Sequence, residues 1–98
     1  MAGLVTHMRE MARYNAWANN RVYAASALLS EADWAADCGI FFHSVQGTLN
    51  HLLVTDRIWL RRITGSGATY DRLDALPYPQ LAELKYQRDA EDRRIVGL

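Results

Sequence analysis

From Leu4 onward apolar residues recur every three or four positions, at Leu4, Met8, Met11, Ala18, Val22, Ala25 and Leu29, with Asn15 alone breaking the stripe. That spacing puts them on one helix face. The run is rich in alanine and free of proline, so propensity agrees and one long helix is predicted. Ser30-Glu31-Ala32-Asp33 is a capping-box variant with Asp in place of Glu, which predicts a short helical turn through Trp34 that Gly39 ends. A second long helix is predicted from Ser44, with Val45, Leu49, Leu52, Leu53, Trp59, Leu60 and Ile63 at helical spacing, until Gly65-Ser66-Gly67 stops it. A polar and aromatic loop from Gly65 to Tyr78 leads to a third helix, with Pro79 in its first turn and Leu81, Leu84, Ile95 and Leu98 on its apolar face.

These elements predict an all-α protein with a single helical domain over residues 1–98. The short link between the two long helices predicts that they pack antiparallel as a hairpin. Three helices with apolar stripes this wide leave one face without a partner, so a fourth helix is expected to be missing from the chain. Trp17, Trp34 and Trp59 are expected to anchor the core, with Met8 and Met11 as filler. The charges alternating in sign from Arg88 to Arg94 predict a solvated helix face.

Composition narrows the function classes. Eleven basic and eleven acidic side chains cancel. No basic stripe with interleaved aromatics occurs, which argues against nucleic acid as a partner. No apolar run approaches the roughly 18 residues of a membrane span, and Glu10 and Arg13 interrupt the place of a secretory signal, so a cytoplasmic protein is expected. Cys38, the single cysteine, has no internal disulfide partner and is expected to be an incidental free thiol. A helical domain of 98 residues is marginal alone, which points to a homodimer formed by helix packing.

The transition-metal ligands to weigh are His7, His43 and His51. On one continuous helix, the eight residues between His43 and His51 give about 12 Å of rise, too far for both to share an ion bonded at about 2 Å. In an antiparallel hairpin His51 faces the stretch around Arg21 and Val22, with His7 about 20 Å further along. The positions three and four from His51 are Gly47, Thr48, Val54 and Thr55, none a usual zinc ligand. No nucleophile triad and no phosphate-binding loop can be assigned, so the residues by themselves identify no catalytic or cofactor-binding group. A lone histidine on a helix is more often a hydrogen-bonded side chain than a metal ligand. Asn15 is either an orienting group for a ligand or water, or a polar residue that specifies packing.

The stretch from Tyr14 to Arg21, YNAWANNR, the run Phe41 to Leu53, FFHSVQGTLNHLL, and then Asp56-Arg57-Ile58-Trp59-Leu60 resemble the DinB/YfiT-like family. The resemblance continues through Leu73-Asp74 and Ala90-Glu91-Asp92. It implies a four-helix bundle with a long crossover between its second and third helices, dimeric and stress-associated, with a divalent metal, zinc or nickel, near its centre. One ligand histidine of that family corresponds to His51. The other two come from a His-x-x-x-His pair on the fourth helix, which this chain lacks, so the resemblance makes it the N-terminal part of such a bundle, with an incomplete site. By the same resemblance the complete protein is a metal-dependent transferase acting through a small-molecule thiol. The alternative is a non-catalytic, stress-associated helical dimerisation module without a functional metal site.

Overall fold

The computed structural model describes residues 2–98 and places four helices in them, α1 (Ala2–Ser26), α2 (Glu31–Ala35), α3 (Val45–Thr64) and α4 (Leu81–Val96). The only extended pairing among the described residues is an isolated bridge between Ile40 and His43. The all-α expectation is met. No helix among the described residues is long and apolar enough to cross a membrane.

Local chemistry sets the helix ends. Ser30 caps α2 by accepting the Asp33 N–H at 3.1 Å, and Ser44 caps α3 by accepting the Gly47 N–H at 2.9 Å. Gly47 is needed for a second reason: a Cβ there would overlap the Phe42 carbonyl oxygen, because the chain folds tightly back on itself before α3. Gly65 ends α3 in the left-handed region at φ 78°, its N–H donating to the Arg61 carbonyl. Two boundaries differ from expectation. α2 ends at Ala35, well before Gly39, which instead turns the loop with its N–H on the Asp37 carboxylate. Pro79 lies just before the Gln80 cap of α4, outside its first turn, and its carbonyl accepts from Trp34 Nε1 at 2.8 Å and Gln46 Nε2 at 2.9 Å.

The expected hairpin of the two long helices does not form as such. α4 packs against both α1 and α3, while α2 rests on α3, so α4 is the main neighbour of α1. Tyr23 of α1 and Leu49 and Leu53 of α3 share the apolar core with Trp34 and Leu84. The reason lies on α4, whose buried positions are Leu84, Arg88, Glu91 and Asp92. These follow helical spacing, so a single face passes from one leucine into three charges.

Those charges correct the expectation of a solvated face. Arg88, 2% exposed, donates to Asp92 on its own helix at 3.0 Å and to Asp56 on α3 at 2.7 Å. Asn19 of α1 donates to both Asp92 carboxylate oxygens at 3.2 Å. Arg57 of α3 lies 3.6 Å from Glu91 and donates to Gln87 at 2.8 Å. A charged side chain leaves water only with partners to replace it, and here the partners sit on the two flanking helices. The polar contacts therefore hold α4 between α1 and α3.

Burial raises the Asp92 pKa above its ordinary value; Arg88 and Asn19 oppose the shift, and Asp56 adds to it by repulsion. We expect burial to prevail because Asp56 and Asp92 share the one Arg88 guanidinium. A carboxyl with a raised folded-state pKa binds its proton more tightly folded than unfolded, so stability from this group falls as pH rises from the ordinary carboxylate value and levels off above the raised one. Acidification from about pH 7 to about pH 4 should therefore favour the wild type over Asp92→Asn in paired urea titrations. A shift in favour of Asp92→Asn would mean that the ion pair outweighs burial.

Met8, Met11, Trp17 and Trp59 are exposed, against the expectation that they fill the core; of the three tryptophans only Trp34 is buried. With Leu4 on α1 and Leu52 and Ile63 on α3, they form apolar helix faces that no described element covers. The face left without a partner in the sequence pattern is thus uncovered in the fold.

Candidate metal-ligand site and the groove around His51

His51 sits in the second turn of α3, half-buried, and three contacts fix its ring. Its Nδ1 lies 2.8 Å from the Leu73 carbonyl oxygen. A carbonyl only accepts, so Nδ1 carries the proton and the neutral tautomer leaves Nε2 as an acceptor. Thr55, one turn on, has its hydroxyl 3.4 Å from Nε2. The Phe42 ring stacks on the imidazole with centroids 3.8 Å apart and planes 19° apart. An imidazole tied through one nitrogen to a backbone carbonyl, with the other presented outward, is how metal-ligating histidines are oriented. His51 opens onto a groove of about 890 Å³ between α3 and the 65–73 loop, bordered also by Ile58, Trp59, Arg62 and Tyr70.

The Leu73 carbonyl reaches His51 because the other side of α3 grips the crossover. Asn50, fully buried, donates to the Tyr78 carbonyl and accepts the Tyr78 N–H, both at 3.0 Å, and also donates to the Gln46 carbonyl. Arg57 donates to the hydroxyls of Tyr70 at 2.7 Å and Tyr78 at 2.8 Å. Neither residue stands out in the sequence reading. The signal that could have found them is their spacing of seven on the apolar side of a helix, which puts an amide and a guanidinium where only hydrogen-bonded polar groups survive burial.

The remaining candidates do not join His51. His43 is in the loop before α3, with φ 73° and its Nδ1 3.4 Å from an Asp37 carboxylate oxygen, both side chains largely exposed. His7 and Asn15 line a separate shallow groove on the exposed side of α1. Cys38 is exposed, and its N–H donates to the His43 carbonyl. A zinc-type site needs three or four donors around one ion, and no three His, Cys, Asp or Glu side chains among the described residues are grouped to hold one. His51 fits as a single donor; these residues do not make a complete metal site.

The DinB family model matches residues 4–96, nearly the whole chain. This chain belongs to the DinB family. No curated protein and no solved structure matches it. Both segments that carried the sequence resemblance, YNAWANNR on α1 and FFHSVQGTLNHLL leading into α3, lie inside the matched range. In this DinB chain the second of them supplies both His51 and the Phe42 ring stacked on it.

Proposed function

We propose that His51 is one ligand of a divalent-metal site, zinc or nickel, completed by ligands from a partner chain, and that the complete site acts in transfer from a low-molecular-weight thiol. The observation that carries this reading is the His51 ring, held by Leu73, Thr55 and Phe42 with Nε2 unprotonated at the border of the groove. A metal ion would supply acidification of the thiol, since a coordinated thiol ionises readily. This chain's part is to hold the Nε2 lone pair in place and to keep Nδ1 protonated.

Calorimetric titration with nickel and zinc, with the oligomeric state measured on the same sample, tests the assignment. We expect His51-dependent binding at no more than one ion per two chains, and at least about a tenfold loss of affinity in His51→Ala. Binding that survives His51→Ala unchanged would remove His51 from the site. A second reading, a non-catalytic helical module that dimerises, is favoured by the exposed apolar faces of α1 and α3. A dimer that takes up neither metal would decide for it.

A further inference from the structure

The groove beside His51 carries positive charge that nothing in it balances. His51, Thr55, Ile58 and Arg62 follow one another at intervals of four, three and four residues, so they share one face of α3. Arg61 and Arg62 both border the groove, and no carboxylate does. Neither arginine makes an ion pair among the described residues, whereas Arg57 on the same helix does. Both are nonetheless held in place. Arg61 donates to the Gly67 carbonyl at 2.8 Å, and the Arg62 guanidinium lies over the Trp59 ring, 5.3 Å from its centroid. Basic residues at a helix C-terminus complement its dipole, but that effect requires neither a groove nor an aromatic platform beneath the charge.

Spacing sets the size of what would fit. Eleven positions separate His51 from Arg62, about 16 Å along the axis, and long side chains on a helix lean toward its N-terminus. The lean is visible in Arg62 lying back over Trp59. A groove of about 890 Å³ is in the range that holds a small molecule.

We infer that this groove binds an elongated small-molecule oxyanion, with its carboxylate, sulfonate or phosphate end at Arg61 and Arg62, its planar or apolar body on Trp59 and Ile58, and its far end at His51. The inference shares the groove of the proposed function and rests on that reading only for what happens at the His51 end. The anion end needs no metal.

The test compares two dyes, anilinonaphthalene sulfonate and phenylnaphthylamine, which differ by the sulfonate alone, binding to the 98-residue chain in the presence of a chelator. The sulfonate is expected to bind about tenfold more tightly than the neutral dye, as charge-assisted contacts to a guanidinium would give. Arg62→Gln should lower that preference and Arg62→Glu abolish it, with affinity for the neutral dye retained in both; Arg62 is exposed and holds no backbone group, so the fold does not depend on it. Arg13→Gln, on the exposed side of α1, should leave the preference intact. Equal affinity for the two dyes, a preference unchanged in both Arg62 variants, or one lost in Arg13→Gln would overturn the inference. Because chelator is present, a failure here is distinct from a failure of the nickel and zinc titration.

Discussion

Arg88→Met is expected to destabilise the protein by about 3–5 kcal/mol, read as a large fall in the urea midpoint or as a chain that no longer folds. The guanidinium is 2% exposed and joins Asp56 on α3 to Asp92 on α4, while Asn19 of α1 holds Asp92 from the third side. Methionine matches much of the volume of arginine but none of its charge, so Asp92 would be left as a buried carboxylate with only an amide for company. The cost comes from that uncompensated charge and not from a lost attraction. Removing both partners separates the two causes. Arg88→Met with Asp92→Leu should regain most of the loss, because apolar groups of similar volume need no partner. A double variant as unstable as Arg88→Met alone would show that the arginine acts through packing or through Asp56.

Leu53→Ala is expected to cost about 2–5 kcal/mol, while Trp59→Ala, six residues further along the same helix, should change stability by less than about 1 kcal/mol. Leu53 is 0% exposed in the apolar cluster it forms with Tyr23, Trp34, Leu49 and Leu84. Close-packed neighbours relax only partly into the cavity that alanine leaves. Trp59 is 56% exposed and lies in the groove under Arg62. On size alone the order would be reversed, since tryptophan has more apolar surface to bury. Thermal or urea unfolding of the two variants on one sample series decides it, and a larger loss for Trp59→Ala would mean that its face is covered in solution.

The candidate site was legible in part. His51 stands out in the sequence once FFHSVQGTLNHLL is seen to resemble the family, and its place on α3 follows from the periodicity of Leu49, Leu52 and Leu53. The groove was not legible, because half of it is the irregular 65–73 loop, whose path depends on Asn50 and Arg57 gripping Tyr70 and Tyr78. Nor was the tautomer of His51, which is set by a carbonyl 22 residues away. Sequence distance gives no hint of such a pairing.

Legible in the residues alone were the helices, the serine cap at Ser30, the start of α3 near Ser44, the glycine stop at Gly65 and the resemblance to the DinB family. The helices and their ends rest on interactions within a few residues, where a 3.6-residue period and a side chain's reach to the nearest backbone N–H suffice. It took the packed fold to show that α4 lies between α1 and α3, that Arg88, Glu91 and Asp92 are buried while Met8, Trp17 and Trp59 are not, and that His51 borders an open groove. A side chain's charge tells how much its burial costs. Whether it is buried depends on partners brought up by other helices, and those partners exist only once the chain has packed.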